Sequence, residues 1–133
     1  MDKRYPLIDH AAEQLHAISG RPLDGITVGA AAAGELAIQD LQISADTLRA
    51  QAAIAREAGY TQLAANLARA AELTGVPNAE VLSMYEQLRP GRASYGELIE
   101  LATRLEQTYS APENAMLVRE AAEAYRARGL LRR

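Results

Sequence analysis

Cysteine, phenylalanine and tryptophan are absent from the 133 residues, and lysine occurs once, at Lys3. Each absence excludes something. Without cysteine there is no disulfide framework, no thiolate nucleophile and no cysteine-based metal site, and nothing in the chain calls for an oxidising compartment. Without Phe and Trp, the 49% of apolar residues must build a core from Leu, Ile, Val, Met, six Tyr and abundant Ala. Small side chains let helices approach closely, but each buries little area at about 25 cal/mol per Å². A chain of this length hides roughly two-thirds of its unfolded surface. The composition therefore predicts one modest domain that leans on a larger partner, with a low melting temperature that rises on complex formation.

Long hydrophobic runs are missing too. No window approaches the ~18 uncharged apolar residues of a membrane span, and residues 1–6 carry no apolar signal-peptide core, so the chain reads as cytoplasmic with no membrane contact. A net charge of −3 speaks against broad binding to a phosphate backbone. Thirteen of the fourteen basic residues are Arg; joint enrichment of Arg and Ala is first of all a mark of a GC-rich genome.

What is present is helix grammar, concentrated after residue 42. Residues 1–42 form an irregular arm punctuated by Pro6, Gly20, Pro22, Gly25, Gly29 and Gly34, with room only for short helical pieces over 8–18 and 30–36. Residues 43–133 read as the helical domain. Ser44 caps a helix that runs to Ala58 and stops at Gly59, with Leu48, Ala52, Ala55 and Ala58 on one face. Thr61 opens a second, carrying Leu63, Leu67, Ala70, Ala71 and Thr74 before Gly75 and Pro77. Asn78 caps a third, with Val81, Leu82, Tyr85 and Leu88 along it, and Pro90 ends it. Ser94 and Glu97 make a reciprocal capping box before the stripe Leu98, Leu101, Ala102, Leu105 and Tyr109. Pro112 suits the first turn of a last helix bearing Ala115, Val118, Ala122 and Tyr125, which Gly129 stops. No segment alternates with period two. The fold class is all-α: a small irregular bundle of about five helices with an irregular N-terminal arm.

Chemistry is sparse. His10 and His16 are six apart, so on a helix they face different ways and do not share a metal as an i, i+4 pair does. Gly29 and Gly34 bracket four alanines in the outline of a phosphate loop, but Glu35-Leu36 stands where Lys and Ser or Thr are required. Glu97 and Glu100 share helical spacing, yet no third group accompanies them, and Arg104 is placed to pair with Glu100 on the surface. Arg119, Arg126, Arg128, Arg132 and Arg133 form a basic tail. No stacking aromatics accompany it, which favours a protein contact over nucleic acid. Tyr85, Tyr109 and Tyr125 fall on apolar stripes and read as core, whereas Tyr5, Tyr60 and Tyr95 are candidate interface anchors. No catalytic, cofactor-binding or metal-binding residue is assigned.

Strings spread along the chain carry more information. Ile43-Ser-Ala-Asp-Thr-Leu-Arg-Ala-Gln-Ala-Ala-Ile-Ala55 with Ala58-Gly59, then Arg69-Ala-Ala-Glu-Leu-Thr-Gly-Val-Pro77, resemble the small subunits of adenosylcobalamin-dependent diol and glycerol dehydratases. Met84-Tyr85, Leu88-Arg-Pro90, the region 92–98, Leu105-Glu106, Val118-Arg-Glu-Ala-Ala122 with Tyr125, and Tyr5-Pro-Leu7 extend the likeness over nearly the whole chain. It is faintest between about residues 9 and 37.

The resemblance implies a non-catalytic small subunit that stabilises a catalytic large subunit, in an enzyme of large, medium and small subunits paired as a dimer of heterotrimers. That holoenzyme is a lyase performing radical dehydration of a 1,2-diol or glycerol to the aldehyde. In the family, cobalamin lies between the large and medium subunits. The base-off signature Asp-x-His-x-x-Gly is absent here, Asp9 and His10 being adjacent. Relatives with a longer N-terminal extension enter a bacterial microcompartment; with Tyr5-Pro6 so early, a freely cytoplasmic complex is expected, the alternative being a microcompartment addressed through other subunits. The rival reading is a free-standing helical adaptor descended from that subunit, told apart by whether genes for large and medium subunits lie beside this one.

Overall fold

A computed structural model describes residues 1–133. It is all-α, as the periodicity predicts, with no strand. The chain divides into two compact units, residues Met1–Thr74 and Gly75–Arg133. The expected boundary at 42/43 falls inside the first.

In the first unit, α1 (Leu7–His10) and α2 (Val28–Ala32) are short, while α3 (Ala45–Glu57) and α4 (Thr61–Leu73) are long. The reading of residues 8–18 as one helical piece does not hold: α1 ends at His10 and a single 3₁₀ turn, Ala12–Gln14, follows. Beyond it the backbone is spent on neighbours, with Ala17 N–H donating to Arg21 C=O and Ile18 N–H to Gln42 C=O. Gly20, at φ 89°, closes the tight turn between Ala17 and Arg21, a conformation that L side chains resist. The second expected piece, 30–36, begins earlier, because the Thr27 side chain accepts from Ala30 N–H, and ends sooner, at Ala32, with Gly34 at φ 73° just beyond it.

Ser44 caps α3 as expected, its hydroxyl accepting from Thr47 N–H. A three-residue link through Gly59, at φ 88°, turns the chain into α4, and the two helices pack as an αα-hairpin. Leu48, Ala52 and Ala55 are buried on α3, whereas Ala58 is exposed. On α4 the buried residues are Ala64 and Ala71, and Leu63 stays half exposed. The expected stripe is thus rotated, because two alanines at a seven-residue spacing allow a closer approach to alanine-faced α3 than leucines would.

In the second unit, α5 (Asn78–Leu88), α6 (Tyr95–Gln107) and α7 (Pro112–Arg128) follow one another. Asn78 is the first helical residue of α5 and not its cap; Pro77, extended at ψ 143°, takes the capping position. Met84 is the buried residue of α5, while Leu82 and Tyr85 are 69% and 67% exposed, so Tyr85 is not core. The stripes of α6 and α7 hold except at Tyr109: Leu98, Leu101, Ala102 and Leu105 meet Ala115, Val118 and Ala122 with no exposed area, but α6 ends at Gln107 and Tyr109, beyond it, is not core. Each fully buried leucine there contributes roughly 1.5–3 kcal/mol. Tyr125 is half-buried and its hydroxyl donates to the Leu88 carbonyl, which lies beyond the last helical bond of α5. Pro112 opens α7, and Gly129 closes it at φ 70°.

Only half of the expected capping box forms. Ser94 Oγ accepts from Glu97 N–H at 3.2 Å, but the Glu97 carboxylate turns to Arg132 and to the Ser94 hydroxyl. The cation outcompetes a backbone amide that solvent can serve.

Candidate interaction surface

The residues weighed for chemistry do not converge. His10 is exposed on α1, and His16 Nδ1 lies 3.0 Å from the Ala17 carbonyl oxygen. No three His, Asp or Glu side chains gather as a metal-binding group. Gly29 lies inside α2, and Gly34 follows that helix in the left-handed region, so residues 29–34 are a helix and its exit, not a phosphate cradle. Glu97 and Glu100 do not act as a pair, since Glu97 is held by Arg132. Arg104 does not pair with Glu100 either. It reaches from α6 to Glu80 on α5 at 2.6 Å, a link between helices that wins over the i, i+4 surface pair.

Much of the basic tail is occupied within the second unit. Arg119 pairs with Glu106 at 2.6 Å and Arg132 with Glu97. Arg126 pairs with Glu123 at 2.7 Å and stacks 4.4 Å from the centroid of the Tyr95 ring. Tyr95 donates its hydroxyl to Glu123 at 2.6 Å; this bond holds the Glu123 carboxyl below its ordinary range and raises the phenol. Tyr95 is therefore committed inside its unit. Tyr5 and Tyr60, at 78% and 65% exposed, remain open as anchors.

Exposed apolar surface is strongly biased. Of fourteen exposed large hydrophobic residues, eleven belong to residues Met1–Thr74. Most sit on the irregular segment around α2, among them Ile18, Leu23, Val28, Ile38, Leu41 and Ile43. Polar stitches hold this segment in shape. Asp40, buried at the surface of the arm, accepts from Ser19 Oγ at 2.6 Å and from Ala37 N–H at 2.7 Å, and these bonds keep its carboxyl below the ordinary value. Arg21 donates from Nε to the Gly25 carbonyl at 2.8 Å and lies 3.7 Å from Glu35.

Two wide-mouthed hollows open on this segment. One, of about 270 Å³, is lined chiefly by Leu15, Leu23, Ile26, Leu41 and Ile43. The other, of about 310 Å³, is lined by Ala12, Glu13, Pro22, Leu23 and Asp24. Leu23 is the wall they share. None of these residues stood out in the sequence as site residues, because the segment has no period from which a face could be read.

Residues 1–132 match the model of the dehydratase small subunit family. The chain belongs to that family. Among its relatives in the family are the propanediol dehydratase small subunits of Salmonella typhimurium and Citrobacter freundii, each 41% identical over 121 residues. Those alignments cover 91% of this chain and 70% of each relative. Membership of a small-subunit family implies partner subunits, and exposed apolar surface is the kind that partners cover. No helix of the chain is long and apolar enough to cross a membrane.

Proposed function

We propose that this chain is the non-catalytic small subunit of a diol dehydratase, a lyase that removes water from a 1,2-diol or glycerol to leave the aldehyde. The observation that carries the reading is the match of residues 1–132 to the small-subunit family, supported by two relatives named as propanediol dehydratase small subunits. In this reading the partners are a large and a medium subunit, assembled as a dimer of heterotrimers. Adenosylcobalamin belongs to the assembled enzyme and supplies the radical chemistry.

This chain's own residues would do other work. They present apolar surface from the first unit, bury it against the large subunit, and so raise the stability of the catalytic subunit by mass action. No residue here is assigned to substrate, metal or cofactor. A cytoplasmic location goes with the reading, since a chain without cysteine needs no oxidising compartment.

Co-expression with large and medium dehydratase subunits tests it. With adenosylcobalamin and either 1,2-propanediol or glycerol, aldehyde formation is expected only where this chain co-purifies with the other two. If those two assemble and turn over equally well without it, and it does not co-purify, the small-subunit role is wrong and a free-standing adaptor takes its place.

A further inference from the structure

The two hollows of the first unit differ in chemistry although they share Leu23. The first is walled chiefly by aliphatic side chains, with His16, Gln42 and Thr47 also in its lining, and its one carboxylate, Asp40, is already bound by Ser19 and the Ala37 amide. The second holds two carboxylates, Glu13 and Asp24, with no cation in its lining and no ion pair for either. Within residues 5–43 the acids Asp9, Glu13, Asp24, Glu35 and Asp40 outnumber a single arginine, Arg21, while Lys3 and Arg49 line a separate hollow beside His16. Arg21 is itself occupied by Glu35 and by backbone carbonyls.

We propose that the adjoining hollows form one composite socket, which takes from the large catalytic subunit an apolar side chain and, beside it, a lysine or arginine. The proposal rests on the small-subunit reading above and adds the docking face and the chemistry of its complement. An apolar anchor seated next to a charge pair is the arrangement that concentrates binding energy in an interface. An arginine can meet a carboxylate through two parallel hydrogen bonds.

Charge also argues against other occupants. A second copy offering the same face would set the Glu13 and Asp24 carboxylates against their own counterparts, and neither hollow has a lysine or arginine in its lining to relieve the repulsion. An anionic partner, whether nucleic acid or a lipid surface, meets the same obstacle. A small molecule needs enclosure over most of its surface, and both hollows are open.

The test uses the full chain and the co-expressed larger subunits. Leu41 is 68% exposed and Glu13 and Asp24 are exposed, so their substitution leaves the fold of the free chain intact, which its circular dichroism and melting curve check. Leu41→Asp is expected to weaken binding to the large subunit by about tenfold or more. Glu13→Lys combined with Asp24→Lys is expected to slow association about tenfold at low salt, with the difference fading at high salt. Leu82→Asp, equally exposed but in the second unit, is expected to bind as the unaltered chain does.

If the unaltered chain binds and Leu41→Asp binds as well as it does, the socket is wrong while the subunit reading stands. If the charge-reversed pair associates at the unaltered rate, the basic half of the complement is wrong. Should Leu41→Asp melt early, the charge-reversed pair alone decides. Loss of binding in Leu82→Asp only would move the face to the other unit and overturn the proposal. Dimerisation of the free chain that Leu41→Asp abolishes would do the same, by assigning the socket to a second copy. If the unaltered chain binds neither larger subunit, the small-subunit reading itself falls, and the socket with it.

Discussion

Both units of this chain use the same device, two antiparallel helices joined by a short link, yet they close it differently. The second unit brings Leu98, Leu101 and Leu105 of α6 against Val118 and alanines of α7 and leaves them no exposed area. The first unit closes α3 on α4 largely through alanines, and Leu48 is the large aliphatic residue buried between them. Leu7 is buried as well, but most of the large apolar residues on the irregular segment, Ile8, Ile18, Leu23, Val28, Ile38, Leu41 and Ile43, stay exposed. The second unit buries three leucines completely in its own core, whereas most of the exposed large apolar residues belong to the first. A unit with its leucines buried has little to offer a neighbour, and a unit with its apolar surface exposed gains most from one.

The contrast predicts opposite responses to volume changes. Leu101→Ala removes a fully buried side chain and is expected to cost about 2–5 kcal/mol, read as lost hydrogen-exchange protection in α6 and α7. A loss below about 1 kcal/mol would mean that the α6–α7 seam collapses around the gap and is not close-packed. The first unit is vulnerable in the other direction. Ala64, 1% exposed, has no room for more atoms, and Ala64→Leu is expected to destabilise α3 and α4 by about 1–3 kcal/mol. If that variant is neutral, the alanine seam holds unfilled space and the contrast weakens.

The caps sharpen the comparison on a smaller scale. Ser44→Ala and Ser94→Ala each remove a side-chain acceptor for a helix N-terminal amide, at roughly 1 kcal/mol. Ser44 is expected to cost more, because its hydroxyl is buried and also meets Thr47 Oγ1 at 3.0 Å. Melting curves of the two variants check the order, and the reverse order would show that burial of the cap counts for little.

The smallest effect is in acid. Asp40, with its carboxyl held below the ordinary value of 3.8 chiefly by Ser19 and then by Ala37 N–H, adds stability above its unfolded value. That contribution disappears as pH falls through the folded value. Protection of the Ala37 amide, relative to its intrinsic exchange rate, is expected to fall below about pH 4, and Asp40→Asn, which keeps one acceptor oxygen where the carboxylate offers two, is expected to lower it at neutral pH as well.

The legible parts of the fold were those written in residues with a single structural meaning. Ser44, Ser94, Pro112 and Gly129 mark helix ends by hydrogen bonding or backbone geometry, and the α6 stripe is written in leucines; all of these held. Alanine carries no such signal. It favours a helix on any face, so the buried side of α4 could not be told from its neighbours, and Leu63 pulled the expected stripe toward solvent. Tyr85 misled for a related reason: an amphipathic ring satisfies an apolar stripe on paper and a wet surface in fact. The docking face was illegible because it is assembled from residues 12–43, which have no period. What brings Leu23 beside Leu41 and Ile43 is the set of bonds made by Ser19, Arg21 and Asp40, and these join positions up to 21 residues apart.

Beyond α7 the chain is stitched back: Leu130 C=O accepts from Gly91 N–H at 2.7 Å, and Arg132 N–H donates to Ala93 C=O at 2.8 Å. Helix ends ordinarily fray one residue at a time, at almost no free-energy cost. Here the strip after Gly129 is buckled to the lead-in of α6 at two points, so it cannot peel away without unlatching the segment that carries Ser94. Residues 130–132 therefore belong to the same cooperative opening as the start of α6, and a protease nick in either would loosen both.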